Sequence, residues 1–155
     1  HVPFYSLASG LVAVTAGTVI GWANERGIRV SIDVSSTAIM SEVGIREVVR
    51  RLADAAPAVV FANADEAAAL EVDGPLAGAL TVVKRGPRPA VLHRIDGSTV
   101  EVDAIPVPGV NDTTGAGDAF AAGFLTAPAW NDDPVGACQA GHRAAAELLR
   151  TRAGR

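Results

Sequence analysis

Cysteine is almost missing from this chain. A single one, Cys138, stands among 155 residues, which excludes an intrachain disulfide and a metal cluster of the cysteine type. No second Cys or His spacing suggests zinc. Cys138 falls on an apolar helical face, which points to a packed thiol, and a reducing cytoplasm is the expected compartment. Excess charge of one sign is lacking too. Thirteen basic residues oppose 17 acidic ones, for a net charge of −4, so neither nucleic acid nor an anionic membrane is an expected partner. All but one of the basic residues are Arg, and they are scattered rather than striped. No hydrophobic run is long enough to span a bilayer. The most apolar, Leu7 to Ile20, is broken by Ser9, Gly10, Thr15, Gly17 and Thr18. No basic region precedes it, so it does not read as a signal peptide. The chain has no Gly-x-Ser-x-Gly elbow and no evident Ser/His/Asp set. A Gly-x-x-x-x-Gly-Lys-Ser/Thr phosphate loop is absent, as are internal repeats and low-complexity tracts.

What is present fits an ordinary globular chain, with 49% hydrophobic and 19% charged residues. The length suits one domain with a good core. Phe4 to Leu7 reads as a short strand, followed by a helix from about Ala13 to Arg26 that stops at Gly27. Val30 to Asp33 is a buried strand, and Val34 to Ser41 a loop. Ile45, Val48, Val49 and Leu52 follow the i, i+3, i+4, i+7 spacing of an amphipathic helix over Gly44 to Ala53. Ala58 to Ala62 is a strand of the kind buried on both faces. It leads to Asn63 and a helix over Asp65 to Leu70. Leu80 to Lys84 is another buried strand. Ala90 to Ile95 and Thr99 to Val102, joined through Asp96-Gly97, form a hairpin. Val135, Cys138, His142, Ala145 and Leu149 lie on one stripe of a long helix, Pro134 to Arg152. Alternating strands and helices imply a mostly parallel sheet with helices on both faces, an α/β fold.

The stretch with most chemistry is Asn111-Asp112-Thr113-Thr114-Gly115-Ala116-Gly117-Asp118-Ala119-Phe120. Two glycines flank an alanine just before an apolar run that reads as a buried helix. Free N–H groups and the helix dipole at such an N-terminus favour an anion. Asp118 sits in the first turn beside that anion hole. A phosphate next to a carboxylate is the layout for phosphoryl transfer to an alcohol. The plainer reading is a glycine turn before a helix, with Asp118 as a dipole partner. Elsewhere, Asn63 with Glu66 three residues on forms a capping box. Asp33 ends a strand, either as a turn former or at the edge where open parallel sheets place ligands. Lys84 and Arg85 either reach a phosphate or form a solvated basic loop. His93 reads as an exposed strand residue.

The string Asp112-Thr-Thr-Gly-Ala-Gly-Asp-Ala-Phe120 resembles the C-terminal signature of the PfkB, ribokinase-like, carbohydrate kinases. The resemblance covers nearly all of this chain but only the C-terminal part of the family. It implies a ribokinase-like three-layer α/β/α fold with a mostly parallel sheet and an antiparallel hairpin, lacking the N-terminal portion and its lid. It implies ATP and Mg²⁺ as cofactors and a sugar or nucleoside as substrate. Asp118 would be the catalytic base, with the amides of Gly115, Ala116 and Gly117 as the anion hole. Asn63 and Glu66 look like the motif the family uses near Mg²⁺, largely through water. Lys84, Gly86 and Thr114 would contact the nucleotide, although the family's second loop glycine is replaced here by Pro89. His142 would wall the adenine pocket, or else be a packed helix histidine. Asp112 and Thr114 match positions that help to hold a monovalent cation such as K⁺ in the family. Further contacts to that ion come from a loop after the last helix, in which the chain is expected to stop at Arg152-Ala153-Gly154-Arg155. The anion hole, Asp33, Asn63 and Lys84 would gather at one sheet edge.

A half sheet would expose an apolar edge. The expectation is therefore a homo-oligomer or a missing N-terminal portion, and a chain opening on His1 reads as a cleaved, tagged or truncated piece. The alternative to a kinase is a nucleotide-binding fragment, or pseudokinase, without turnover.

Overall fold

A computed structural model describes residues 1–153. The strands are β1 (Val2–Pro3), β2 (Ser31–Asp33), β3 (Val59–Asn63), β4 (Leu80–Lys84), β5 (Ala90–His93) and β6 (Thr99–Val102). They join in one six-stranded sheet in sequence order. The helices are α1 (Gly10–Glu25), α2 (Thr37–Val43), α3 (Ile45–Ala55), α4 (Ala64–Ala69), α5 (Ala116–Thr126) and α6 (Pro134–Ala153). The sheet is mixed. β1 pairs with β2, and β2 with β3, in parallel. β5 and β6 are neighbours joined by a short turn, which only antiparallel strands permit. That turn is closed by Arg94 N to Ser98 O at 2.8 Å and Gly97 N to Arg94 O at 2.9 Å. Gly97 supplies the φ of +82° it needs.

Two compact units make up the chain: residues 1–83 with 93–99, and residues 84–92 with 100 onward. In the first, the register sets Asp33 of β2 opposite Phe61 of β3. Asp33 and Asn63 therefore leave the sheet at the same strand ends. The core here is Ile32, Val48, Leu52, Val59, Val60 and Phe61, all fully buried. α1 stops as expected: Gly27 N bonds Asn24 O at 3.0 Å and Ile28 N bonds Ala23 O at 2.8 Å. Gly27 takes a φ of +66° to close this motif. α1 buries only Ile20 of its apolar residues, leaving Leu11, Val12, Val14, Val19 and Trp22 exposed.

Three local expectations are corrected. Phe4–Leu7 is a 3-10 turn, not a strand. Phe4 and Leu7 are buried while Tyr5 is exposed, the three-residue period of that helix. The Val34 to Ser41 loop contains most of α2, whose N-cap Ser36 accepts from Ile39 N at 3.5 Å and whose Met40 is fully buried. Third, α6 ends at Ala153, one residue past the expected Arg152, so that Arg152 and Ala153 of the expected closing loop are helical; the rest of that loop, Gly154 and Arg155, lies outside the described residues.

In the second unit α5 packs along α6. The buried stripe of α6 is Ala137, Cys138, Gly141, His142 and Ala146. It is rotated slightly from the expected one, so that Val135, Ala145 and Leu149 are only half-buried. Small residues explain the turn. Phe120 of α5 lies against Gly141, and Gly123 of α5 against Ala140 and Ala144. The rings of Phe120, Phe124 and Trp130 form a chain, with neighbouring centroids 6.4 and 6.0 Å apart. Cys138 is fully buried, and burial pushes its thiol up to about 12.

Candidate functional site

The expected anion hole is at the start of α5. Gly115 is the N-cap, in the left-handed region at φ +78°, a conformation that favours glycine. No side chain caps this helix. One expected donor is corrected: the amide of Ala116 closes a turn onto Thr113 O at 3.0 Å. Among the described residues, the amides of Gly117 and Asp118 have no acceptor. Those two, with Gly115, are the groups an anion could meet.

Lys84 supplies charge at the same place. A Cβ added at Gly117 would stand 3.2 Å from its Nζ. The ammonium thus lies close over the first turn of α5, in space that any side chain at 117 would invade. Arg85, by contrast, is engaged elsewhere: its Nη2 meets Glu101 Oε1 at 2.6 Å, and its Nε donates to Pro89 O. It fastens the loop after β4, in which Gly86 takes a φ of +62°. Gly86 is a turn residue, with nothing within 4 Å of an added Cβ.

Asp118 is exposed in the first turn of α5. Among the described residues, no hydrogen bond or ion pair engages its carboxylate. Thr114 is exposed and donates its amide to Asp112 Oδ1 at 2.9 Å. The other carboxylate oxygen, Oδ2, accepts from Arg152 Nη1. Hydrogen bonds from Thr114, aided by the Arg152 charge, hold the Asp112 carboxyl below its usual range. Arg152 gave no sequence signal. It lies 40 residues from Asp112, and only the packing of α6 brings it there.

His142 is packed on its helix, the plainer of the two expectations for it. It is 8% exposed. Its ring meets Phe120 edge-on at 5.0 Å, and Nε2 donates to Val102 O at 3.2 Å. Burial lowers its pKa from 6.5, against the opposing pull of that hydrogen bond and of Asp103. An imidazole held neutral in the fold binds fewer protons than in the unfolded chain. Its stabilising effect is complete above about pH 6.5 and is lost as pH falls below it. The melting temperature is therefore expected to drop between pH 7.5 and 5.5, with a shallower slope in His142→Gln; differential scanning calorimetry across that range checks this.

In the first unit, Asn63 and Glu66 form the capping box. Asn63 Oδ1 accepts from the amides of Asp65 and Glu66, both at 2.9 Å. Both Glu66 oxygens accept from Asn63 in turn: Oε2 from its backbone N at 2.8 Å and Oε1 from its Nδ2 at 2.7 Å. Glu66 is only 3% exposed, so this pairing offsets the cost of burying a carboxylate. Asp33 forms a turn, with Oδ1 accepting from Ser35 N at 2.9 Å. Among the described residues, no group of three or more His, Cys, Asp and Glu is placed to hold a metal, and no helix is long and apolar enough to cross a membrane.

Comparison with known proteins bears on this geometry. The model of the pfkB family carbohydrate kinases matches residues 12–155. The chain is 38% identical over 121 residues to an ATP-dependent ribose-1-phosphate kinase of Halopiger xanaduensis, covering 72% of this chain and 36% of that protein. Among solved structures, adenosine kinase from Sinorhizobium meliloti matches with a TM-score of 0.82 at 24% identity, over 96% of this chain and 47% of that one. Fructokinase from Vibrio cholerae, solved with fructose, ADP and calcium, matches at 0.76 and 24%, over 96% and 53%. A double mutant of that fructokinase was solved with fructose, ADP and potassium. The chain thus spans about a third to a half of the length of these relatives.

Proposed function

This chain belongs to the pfkB family of carbohydrate kinases, and from that premise we propose that it carries the phosphate site and catalytic base of an ATP-dependent sugar or nucleoside kinase. The observation that carries the reading is the start of α5. A left-handed glycine cap, two amides without acceptors and the Lys84 ammonium meet beside an Asp with no partner among the described residues. A phosphate fits this cradle: the amides and the cation answer its charge, and the glycines let it approach.

In the proposed reaction Asp118 takes the proton of the acceptor hydroxyl as that oxygen bonds to the γ-phosphorus of ATP. The bond to the β,γ-bridging oxygen breaks and ADP leaves. Lys84 and the Gly117 and Asp118 amides hold the charge on the transferring group. Thr114 and Gly86 border the phosphates. Asn63 and Glu66 would meet Mg²⁺ only through water, since both Glu66 oxygens accept from Asn63 and the side chain is buried; Mg²⁺ when bound would supply charge neutralisation on the phosphates.

A second reading is a nucleotide-binding portion without turnover, favoured by the share of its relatives that the chain spans. Calorimetric titration with ATP, followed by ADP release against a panel of sugars, sugar phosphates and nucleosides, separates the two. Binding with release for one substrate class supports the kinase, binding alone supports the second reading, and no binding removes both.

The exposed apolar side of α1 is proposed to be covered in the working protein, by a further portion of a kinase or by a second copy. Sedimentation velocity at micromolar concentration is expected to find an oligomer, or a complex once such a portion is added. A monodisperse monomer indifferent to that addition would contradict this.

A further inference from the structure

Asp112 does not suit a monovalent cation. One oxygen accepts the Thr114 amide at 2.9 Å, and the other accepts from Arg152 Nη1. The second guanidinium nitrogen of Arg152, Nη2, lies 3.9 Å from where a Cβ on Gly115 would stand, and Leu148 Cδ2 lies 3.6 Å from the same point. The guanidinium therefore binds the acid and stands beside the left-handed cap of α5. A potassium ion brought to Asp112 would meet a fixed like charge at contact distance.

We propose that Arg152 is the resident cation of the Asp112–Gly115 turn, a positioning residue that replaces a bound monovalent ion and makes the site independent of potassium. The guanidinium is charged at every working pH and is tied to the last turn of α6, where the helix dipole favours a cation. An ion must bind from solution before it can order the turn, whereas Arg152 is delivered by the same packing that seats α6 on α5. The importance of that order rests on the phosphotransfer reading, but the test does not, since it needs no turnover.

The test is thermal unfolding of the wild type, Arg152→Gln and Asp112→Asn in potassium chloride against tetramethylammonium chloride at equal ionic strength. The wild type and Asp112→Asn are expected to melt at the same temperature in both salts. Arg152→Gln is expected to melt lower, and to regain a few degrees saturably in potassium alone. A potassium-specific rise in the wild type that Asp112→Asn removes would overturn the proposal. So would an Arg152→Gln protein that ignores potassium. Failure of the kinase reading would show separately, as no ADP release in either salt.

Discussion

Asp118→Asn is expected to lower phosphoryl transfer by about 10²- to 10⁴-fold, the usual contribution of a positioned general base, while nucleotide affinity stays nearly unchanged. The reasons are local. Asp118 is exposed, lies in the first turn of α5, and has no side-chain partner among the described residues. The amide variant keeps shape and polarity, so the helix should persist, less about 0.3–1 kcal/mol of favourable interaction with its dipole. The backbone amides of Gly117 and Asp118 and the Lys84 ammonium are untouched. What disappears is the group that can accept the hydroxyl proton. Initial rates of ADP release and calorimetric titration with a non-hydrolysable ATP analogue measure the two halves. Retention of most of the rate would remove Asp118 as the base. Equal loss of rate and affinity would place it in binding instead.

Enlarging either glycine of the α5–α6 contact is expected to produce the largest loss of stability. A Cβ at Gly123 would stand 2.7 Å from both the carbonyl oxygen of Ala140 and Cβ of Ala144. At Gly141 it would meet the Phe120 carbonyl at 2.8 Å and the Phe120 ring at 3.0 Å. Backbone atoms cannot swing aside, so the helices must separate. Gly123→Val and Gly141→Val should each cost about 3 kcal/mol, at the upper end of the usual overpacking range. In a chain of this size that lowers the melting temperature by roughly 6–12 °C. Gly17 in α1 supplies the control. Nothing lies within 4 Å of a Cβ there, so Gly17→Ala should stabilise by up to about 1 kcal/mol through helix propensity. Thermal and urea unfolding of the three variants checks the signs. A Gly141→Val protein as stable as the wild type would mean that the two helices are not packed at this distance.

The readable parts of the sequence were those governed by near neighbours. Gly27 ends α1 because only three or four residues are needed to close its motif, and Asn63 with Glu66 makes a cap for the same reason. The Asp96-Gly97 turn and the apolar strand Leu80–Lys84 are equally local. Ser36 before Thr37-Ala38-Ile39-Met40 is a usable cap signal for α2, but a helix of 7 residues is too short to show a clear apolar period. Phe4–Leu7 suits a strand as well as a 3-10 turn on sequence alone, because burial at i and i+3 exists only after folding.

The residue types around Gly115 were legible in the string itself, since glycine, amide and carboxylate are its own properties. Which groups meet was not. Ala116 spends its amide on Thr113, while Arg152 and Lys84, distant along the chain, arrive beside Gly115 and Gly117. His142 illustrates the same division. Its helix and approximate face follow from spacing, yet its burial against Phe120 depends on how closely α6 approaches α5, and Gly141 sets that approach. Propensity, capping and turn chemistry act over a few residues and are written in order along the chain. Side-chain partnerships across 40 residues depend on how large surfaces fit, and that fit comes into being when the helices pack.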